Sequence, residues 1–283
     1  MIKLKELLRE GQIQLKDQSP SAAEDCEILL GQILSKNSAW LITHGDRLIT
    51  SEQTLAFRAH LQRRSAGEPV AYIIGQRAFW EHHFEVNPSV LIPRPESEIL
   101  VELVVQIVSE QAFTSESQSI ADLGTGSGAI AISLAHELPQ TDIIAVDVSV
   151  DALAVARRNA DNIGVTNITF IESDWFSQLD EQRFSIIVTN PPYIATDDPH
   201  LARGDLRFEP IDALTAGPEG IDDIHKIVNQ SKAYLQPLGH LLVEHGFEQG
   251  AAVRKLFSDA GFKDIATHRD IAGLERVSCG SIG

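Results

Sequence analysis

From residue 120 onward, short apolar segments alternate with longer amphipathic ones, and this alternation constrains the fold more than any other feature of the sequence. The expected strands span residues 120–123, 143–148, 168–171, 184–189 and 240–244, with helices between them, notably at 129–137 and 152–162. Apolar strands that alternate with helices indicate a parallel sheet covered by helices on both faces. Residues 263–269 and 276–282 follow a helix expected at 249–260 and should form a strand pair at one edge of the sheet.

Residues 1–75 show a different pattern, because leucine and other apolar residues recur there at helical spacing. Ser19 followed by Pro20 predicts the start of one helix. Thr50 together with Gln53 predicts a capping box that opens another. We therefore expect a helical bundle in this part of the chain, whose role is either packing or the recognition of a partner.

The segment that joins this bundle to the rest of the chain, residues 76–95, is expected to be a β-hairpin linker. Two strand-like stretches flank Asn87 and Pro88, which are typical residues of a turn. The remaining residues, 96–283, are expected to form the sheet domain. Within that domain the polar, serine-rich segment 111–119 is predicted to be a loop.

Composition disfavours several classes of function. The 283-residue chain has 40 acidic and 23 basic residues, a net charge of −17, and such a surface repels a phosphate backbone. Two cysteines far apart indicate neither a zinc site nor a disulfide framework, so no metal is expected. The N-terminus lacks an apolar signal core, and no stretch approaches the about 20 apolar residues that span a bilayer. We expect a cytoplasmic monomer with no membrane partner and no direct nucleic-acid partner.

The strand expected at 184–189 ends abruptly in Asn190, Pro191, Pro192 and Tyr193. Proline cannot donate to a sheet ladder, and it restricts the preceding residue to extended backbone, so the strand must stop there. The Asn190 side-chain carbonyl and the Pro191 carbonyl are then two acceptors for one NH2 group, with the Tyr193 ring available to lie on its planar carrier. The motif predicts a site for a planar amide or an exocyclic amine. The simpler interpretation is a proline-ended strand followed by a turn.

A glycine-rich loop follows the first expected strand of the sheet. It consists of Gly124, Thr125, Gly126, Ser127 and Gly128. Its glycines permit a tight turn and a close approach of the backbone to a ligand. Asp147 ends the second strand, where a carboxylate can accept hydrogen bonds from a ribose hydroxyl pair. Because this pattern also matches a dinucleotide-binding fingerprint, NAD remains an alternative on these residues alone.

The motifs are expected to meet at one edge of the sheet. In an open α/β sheet, ligands bind beyond the carboxyl ends of the strands, where the glycine loop, Asp147 and Asn190 all lie. A methyl donor has a chemical use beside a bound NH2 group and a redox cofactor has none, which favours methyl transfer. Trp175, just after the third strand, either flanks an adenine or caps the core.

These motifs resemble those of class I S-adenosylmethionine-dependent methyltransferases, and the whole chain is similar to the peptide chain release factor glutamine methyltransferase family (PrmC/HemK). The similarity is found at residues 71–75, 79–80, 90–96, 122–130, 190–194, 207–210 and 213–214. Pro-Arg-Pro-Glu at 93–96 and Arg-Phe-Glu-Pro at 207–210 are specific, because adenine methyltransferases in general do not share them. Ser97 and Ser127 stand where threonine is common in the family, and both keep a hydroxyl.

The resemblance implies an α/β fold with a Rossmann-like, doubly wound, mostly parallel sheet and an antiparallel edge strand. It implies S-adenosylmethionine contacts from Gly124, Thr125, Gly126, Ser127, Gly128, Asp147, Trp175 and Asn190. It implies substrate contacts from Asn190, Pro191, Pro192 and Tyr193, with Asn190, Pro191 and Tyr193 as the catalytic residues. The implied reaction methylates the side-chain amide nitrogen of the glutamine in the Gly-Gly-Gln motif of class 1 release factors and so modulates translation termination.

Three alternatives belong to other functional classes. The first is a DNA or RNA amino-methyltransferase that acts on an exocyclic base amine, which the net charge of −17 disfavours. The second is an NAD-dependent oxidoreductase, which the Asn-Pro-Pro-Tyr motif disfavours. The third is a non-catalytic interaction protein with a decayed methyltransferase fold, which the intact glycine loop and Asp147 disfavour.

Overall fold

The chain divides into two compact units. The computed structural model describes residues 1–110 and 118–283, so most of the loop predicted at 111–119 lies outside the described residues. One unit consists of residues 1–76 with 199–208, and the other of residues 77–198 with 209–283. No helix in the described residues is long and apolar enough to cross a membrane.

The N-terminal unit contains the predicted bundle of helices together with one short strand pair. The helices are α1 (Leu4–Leu15), α2 (Ala22–Leu34), α3 (Ser38–Thr43), α4 (Ser51–Ser65) and α5 (Val70–Ile74), and the strands are β1 (Ile2–Lys3) and β2 (Leu48–Ile49). Apolar residues of the helices form one buried cluster that includes Leu7, Leu29 and Phe57. The predicted capping box of Thr50 and Gln53 is present at the start of α4.

The start of α2 differs from the prediction, because the N-cap residue is Ser21 and not Ser19. The Ser19 hydroxyl donates to Oδ2 of Asp25 at 2.7 Å, and the Ser21 hydroxyl donates to Oδ1 at 2.9 Å. A buried carboxylate needs such donors more than a helix end does, since helix ends can also be satisfied by water. The Ser19 hydroxyl, which the sequence predicts to cap α2, therefore donates to Asp25 instead.

Asp25 also forms a buried ion pair with Arg64 of α4. Nε of Arg64 lies 2.7 Å from Oδ2 of Asp25, and the two side chains are only 9% and 7% exposed. Nη1 of the same guanidinium lies 3.0 Å from Oδ1 of Asp205, which belongs to the segment 199–208 of this unit. The guanidinium is thus held by two carboxylates, one buried and one partly exposed.

We expect Asp25→Ala to lower the free energy of unfolding by about 3 kcal/mol, because it leaves the Arg64 charge buried without its main partner. Urea unfolding of the purified protein measures this loss. Glu10→Ala is the matched control, since it removes one carboxylate from the exposed Arg58–Glu10 pair of the same unit. The control should lose much less stability than Asp25→Ala, and equal losses would contradict the structural role of the buried pair.

The hairpin predicted within residues 76–95 is present, but its turn lies at different residues. Its strands are β3 (Gln76–Phe79) and β4 (His82–Glu85). The turn that joins them is Trp80-Glu81, and the turn predicted at Asn87 and Pro88 follows β4 instead. At that later turn, Oδ1 of Asn87 accepts a hydrogen bond from the Ser89 N–H at 2.9 Å.

Contacts with distant residues explain why Trp80 occupies the turn. Its backbone has a φ of +54°, a value that an aromatic side chain rarely adopts. The Trp80 backbone N–H donates to Oε1 of Glu98 at 2.8 Å, and its indole N–H donates to Oε1 of Glu137 at 2.8 Å. Two carboxylates far along the chain therefore outweigh the local turn preference of Asn and Pro.

The second unit is built on a seven-stranded sheet, as predicted. Its strands are β5 (Ser119–Leu123), β6 (Asp142–Asp147), β7 (Ile168–Glu172), β8 (Phe184–Thr189), β9 (Leu235–Glu244), β10 (Lys263–Arg269) and β11 (Glu275–Ser281). Their spatial order is β7-β6-β5-β8-β9-β11-β10. The pairs among β5 to β9 are parallel, and β11 runs antiparallel to both of its neighbours.

Helices cover both faces of this sheet, which confirms the doubly wound arrangement. They are α6 (Glu98–Glu110), α7 (Ala129–Glu137), α8 (Val150–Ile163), α9 (Asp222–Ser231) and α10 (Gly250–Asp259). Ile120 of β5 packs with α6, α7 and α8 in one buried cluster, whereas its neighbour Ala121 packs with α9 and α10 in the other. Every residue of β8 is buried, as expected for a strand with a core on each face.

Strand order and register determine where a ligand can bind. From β5 the sheet continues through β6 and β7 on one side and through β8 and β9 on the other, so the topology reverses between β5 and β8. Ligands of open α/β sheets bind at such a switch point, beyond the carboxyl ends of the strands. Leu123 pairs with Thr189, and Thr189 pairs with Val243. Gly124 and Asn190, which follow β5 and β8, and Glu244, which ends β9, are therefore neighbours.

Candidate active site

Asn190 lies directly after β8 and has one side-chain atom paired and one unpaired. Its Nδ2 donates to Oγ of Ser97 at 2.9 Å. Its Oδ1 is buried and has no hydrogen-bond partner among residues 1–110 and 118–283. Leaving a buried acceptor unsatisfied costs about 1–3 kcal/mol, so this atom is available to accept a hydrogen bond from a bound ligand.

The two prolines after Asn190 keep the chain out of the sheet ladder, as predicted. Regular pairing resumes at Ile194, whose N–H donates to the Leu214 carbonyl at 2.9 Å. Within the described parts of the chain, no hydrogen bond reaches the Pro191 carbonyl. The two acceptors expected from the sequence, Oδ1 of Asn190 and the carbonyl oxygen of Pro191, are thus both without a protein donor there.

Tyr193 is anchored at its hydroxyl and at its backbone. The hydroxyl donates to Oε1 of Glu244 at 3.4 Å, and the backbone carbonyl accepts from Nε2 of Gln249 at 3.0 Å. The ring packs against the buried cluster on the α9 and α10 face of the sheet. Burial raises the pKa of the Tyr193 hydroxyl, and the neighbouring Glu244 acts in the same direction. The phenol is therefore a neutral, fixed group and not a base at physiological pH.

Glu244 ends β9 and is almost completely buried beside Ser97 and Tyr193. Burial raises the pKa of its carboxyl to about 7, while hydrogen bonding from Ser97 and Tyr193 acts in the opposite direction. Neither Glu244 nor Ser97 is among the site residues predicted from the sequence. The available signal was an acidic residue at the carboxyl end of an apolar strand, the same signal that identified Asp147.

The glycine loop adopts a backbone that other residues rarely reach. Gly124, Gly126 and Gly128 have φ values of +72°, +56° and +83°. A Cβ atom at Gly124 would lie 3.3 Å from the Trp175 ring, and one at Gly128 would lie 2.6 Å from Cδ1 of Ile132. A Cβ atom at Gly126 would meet nothing within 4 Å. The two ends of the loop are thus closely packed, and its middle is open.

Asp147 connects the glycine loop to the end of β6. Its Oδ2 accepts from the Gly126 N–H at 2.8 Å, and its Oδ1 accepts from the Ser149 N–H at 2.9 Å. Burial raises the pKa of this carboxyl, and the backbone donors act against that shift. Each oxygen accepts one of these backbone bonds and has a further lone pair, so the carboxylate can still accept from a ligand.

Asn159 of α8 joins the hairpin to the glycine loop, and it is not among the residues predicted from the sequence. Its Oδ1 accepts from the Glu85 N–H at 2.7 Å, and its Nδ2 donates to the Glu85 carbonyl at 3.1 Å. The same Nδ2 donates to the Ser127 carbonyl at 2.9 Å. The signal in the sequence was an asparagine among the alanines on the buried face of a helix, where an unpaired amide is unfavourable.

Trp175 lies against the loop and is also part of the core. Its ring packs against the buried cluster on the α9 and α10 face and approaches Gly124. Its backbone has a φ of +51°, and its carbonyl accepts from Oγ of Ser173 at 2.9 Å. Burial raises the pKa of the Asp223 carboxyl, and the Trp175 side chain acts in the opposite direction. The geometry is compatible with both interpretations of this residue, a core cap and a wall of a ligand site.

An ion pair joins the two sequence segments that are most specific to the resemblance. Glu209, from Arg-Phe-Glu-Pro, is fully buried and accepts hydrogen bonds from the Arg94 guanidinium and from the Ile92 N–H at 3.0 Å. Arg94 comes from Pro-Arg-Pro-Glu and lies three residues before Ser97. The pair therefore fixes the backbone that leads into the partner of Asn190.

Taken together, the strand ends place Asp147, the glycine loop, Asn190 and Glu244 along four adjacent strands, β6, β5, β8 and β9. Among the described residues, no group of three or more His, Cys, Asp or Glu side chains is arranged to hold a metal ion. The site thus offers hydrogen-bond acceptors, an open glycine loop and aromatic rings.

Asp122, at the base of the glycine loop, should make the stability of the protein depend on pH. Burial raises the pKa of its carboxyl from 3.8 to about 7, although the Thr125 hydroxyl donates to it at 2.7 Å and acts in the opposite direction. The folded state therefore binds more protons than the unfolded state between these values, and this contribution to stability is lost as the pH rises through about 7.

We expect Asp122→Asn, which stays neutral, to show a smaller fall in the free energy of unfolding between about pH 5 and about pH 8 than the wild type. Urea unfolding at the two pH values measures the difference. Asp142→Asn, at the exposed opposite end of β6, is the control and should keep the wild-type pH dependence. An Asp122→Asn protein with the full wild-type dependence would show that Asp122 does not contribute.

Comparisons with known proteins identify relatives over nearly the whole chain. The family models described as PrmC N-terminal domain and Methyltransferase small domain match residues 6–75 and 97–203. Release factor glutamine methyltransferase of Escherichia coli (strain K12) is 46% identical over 273 residues, which is 96% of this chain and 96% of that protein. The protein of the same name from Xylella fastidiosa (strain 9a5c) is 45% identical over 256 residues, which is 90% of this chain and 92% of that protein.

A solved structure shows the same fold at low sequence identity. A methyltransferase from Pyrococcus furiosus superimposes with a TM-score of 0.53 and 16% identity, and the match covers 80% of this chain and 98% of that one. At such identity the likeness concerns the fold alone. It agrees with the mostly parallel, helix-covered sheet described above.

Proposed function

Since this chain belongs to the release factor glutamine methyltransferase family, we propose that it transfers a methyl group from S-adenosylmethionine to the glutamine amide nitrogen of the Gly-Gly-Gln motif in class 1 peptide chain release factors. The product is N5-methylglutamine, and the modification modulates translation termination. The observation that most directly supports this proposal is the buried, unpaired Oδ1 of Asn190 beside the free carbonyl of Pro191. Two fixed acceptors match the two N–H donors of a carboxamide.

The residues around the glycine loop fit S-adenosylmethionine. The open middle of the loop at Gly126 admits a ligand close to the backbone, and the remaining lone pairs of Asp147 suit a ribose diol. The Trp175 ring beside Gly124 offers an apolar wall for a base. We assign cofactor contacts to Gly124, Thr125, Gly126, Ser127, Gly128, Asp147, Trp175 and Asn190.

Substrate contacts are assigned to the four residues that follow β8, namely Asn190, Pro191, Pro192 and Tyr193. Oδ1 of Asn190 and the Pro191 carbonyl accept the two N–H bonds of the glutamine amide. The Pro192 ring holds the backbone in its extended form, so the acceptors keep their positions. The Tyr193 ring, fixed through its hydroxyl, lies against the plane of the amide.

The two acceptors also favour the chemical step. An amide nitrogen is a weak nucleophile because its lone pair is delocalised into the carbonyl. Acceptors on both N–H bonds favour a more tetrahedral nitrogen, and they stand where positive charge develops, which is preorganised electrostatic stabilisation. When bound, S-adenosylmethionine supplies an electrophilic methyl group on a sulfonium. No general base is required, since a methylated amide cation is a strong acid that loses its proton to water.

The direct test is mass spectrometry of a purified class 1 release factor after incubation with the protein and S-adenosylmethionine. We expect one added methyl group on the peptide that contains Gly-Gly-Gln. A release factor with that glutamine replaced by glutamate is the control and should gain nothing. Labelled S-adenosylmethionine with DNA or RNA as acceptor tests the alternative of a base-amine methyltransferase. Label in nucleic acid with none in the release factor would overturn the proposal.

Replacing Asn190 tests the role of the unpaired acceptor. We expect Asn190→Ala to lower kcat by about 10²–10³, by analogy with the loss of one preorganised hydrogen-bonding group that stabilises developing charge. Steady-state kinetics at saturating S-adenosylmethionine measures kcat, and calorimetry measures its affinity, which should change much less. Asn229→Ala, an exposed asparagine of α9, is the matched control. Normal turnover of Asn190→Ala would exclude the proposed mechanism.

A further inference from the structure

We propose that Glu244 is the positioning residue of this site, because its carboxylate determines through Ser97 which way the Asn190 amide points and also anchors Tyr193. This inference rests on the proposed function, since it concerns the same acceptor that holds the substrate amide. Glu244 does not contact substrate in this scheme. It acts through two other side chains, and its effect is on their orientation.

The orientation of Asn190 matters because the two ends of its side-chain amide have nearly the same shape and opposite hydrogen-bonding roles. With Oδ1 toward the substrate, the amide accepts from an NH2 group. With Nδ2 toward the substrate, two donors face each other and the site cannot bind a carboxamide nitrogen. The shape of asparagine does not decide between these states, so its neighbours must.

Ser97 is the immediate neighbour, but a hydroxyl alone does not resolve the choice. Its Oγ is nearly fully buried and accepts from Nδ2 of Asn190 at 2.9 Å. A serine hydroxyl has a single proton and can donate or accept. If that proton were free, it could equally be donated to Oδ1 of a reversed Asn190. The state with Oδ1 toward the substrate therefore requires another acceptor for the Ser97 proton.

Glu244 supplies that acceptor. Its Oε2 is buried and has no hydrogen-bond donor among the described residues, and the Ser97 hydroxyl accepts from Asn190 with its own proton still available. The Ser97 hydroxyl is close enough to lower the pKa of the Glu244 carboxyl by hydrogen bonding. An ionised carboxylate accepts and cannot donate. Asn190 then donates to Ser97, and Ser97 donates to Glu244. Oδ1 of Asn190 is left to accept from the substrate.

The same carboxylate holds the other side of the site. Its Oε1 accepts from the Tyr193 hydroxyl at 3.4 Å. Thr189 pairs with Val243, so Glu244 lies across from Asn190 at the ends of neighbouring strands. One side chain on the rigid strand β9 thus fixes both the acceptor and the ring. This arrangement agrees with the rule that precise sites are supported by locked neighbouring groups.

Protonation of Glu244 leaves the donor and acceptor roles of these groups undetermined. A carboxylic acid can donate to Ser97, and the Ser97 hydroxyl can then donate to Asn190. Burial raises the pKa of Glu244 to about 7, and the nearby Glu96 acts in the same direction. Ser97, Tyr193 and Arg276 act in the opposite direction. The fraction of Asn190 in the productive orientation should therefore fall as the pH falls through about 7.

Kinetics of four variants provide the first test. Ser97→Ala should lower kcat about tenfold, the equivalent of one hydrogen bond, with an unchanged affinity for S-adenosylmethionine. Ser97→Thr keeps the hydroxyl and should retain wild-type kcat. Glu244→Gln should abolish the fall in kcat below about pH 7 that the wild type shows. Ser185→Ala removes a buried hydroxyl at the opposite end of β8 and should behave as the wild type.

Nuclear magnetic resonance provides a readout that does not depend on methyl transfer. In protein labelled with ¹⁵N at asparagine, the Asn190 side-chain NH2 signal is assigned by its absence in Asn190→Asp. We expect one of its protons to be protected from exchange in the wild type, in Ser97→Thr and in Ser185→Ala. The protection should be lost in Ser97→Ala, and in the wild type it should weaken as Glu244 becomes protonated.

The two proposals fail in different ways. If the release factor is not methylated by the wild type, the proposed function is wrong, and the spectra still report on the Asn190 orientation. If methylation occurs but Ser97→Ala and Glu244→Gln leave kcat, its pH profile and the Asn190 signal unchanged, Glu244 has no positioning role. Loss of activity in Ser97→Ala with an unchanged Asn190 signal would also overturn the inference.

Discussion

A carbonyl oxygen that is buried without a partner is the constraint on which the rest of the site depends. Oδ1 of Asn190 is buried and has no protein donor among the described residues, which disfavours the free folded state. Such an atom persists only where the surrounding structure leaves it no alternative. Here Asn190 follows a fully buried strand, precedes two prolines and donates a hydrogen bond to the Ser97 hydroxyl. A ligand N–H that donates to Oδ1 removes this unfavourable energy, and the gain adds to the binding free energy of the ligand.

The sheet places the other site residues near Asn190, because it brings distant parts of the chain to one edge. Parallel pairing aligns the carboxyl ends of β6, β5, β8 and β9, so a carboxylate, a glycine loop, an amide and a second carboxylate become neighbours. Their separation along the chain exceeds a hundred residues, yet the register fixes their order. Contacts outside the sheet then complete the arrangement, since Glu209 holds Arg94 and Asn159 holds both Glu85 and Ser127.

The sequence was informative wherever a residue type had a purely local consequence. Two prolines stop any strand, glycines permit positive φ, and an acidic residue at the end of an apolar strand faces the ligand edge, so Asn190, Gly124 and Asp147 could be located in advance. The hairpin turn at Trp80 and the contact between Ser19 and Asp25 could not, because both depend on carboxylates that the fold brings near. The roles of Ser97 and Asn159 in the site were not predicted for the same reason, since their partners are known only once the strands are in register.

The segment 199–208 has a consequence for how the protein can be divided. It lies between β8 and β9 in the chain, yet it belongs to the compact unit of residues 1–76, where Asp205 is one of two carboxylates on Arg64. An excised fragment of residues 1–76 would therefore lack one of the counter-ions of a guanidinium that is only 9% exposed. The boundary between the units is crossed three times by the backbone. The N-terminal helices are thus not an independent module that a single cut could release intact.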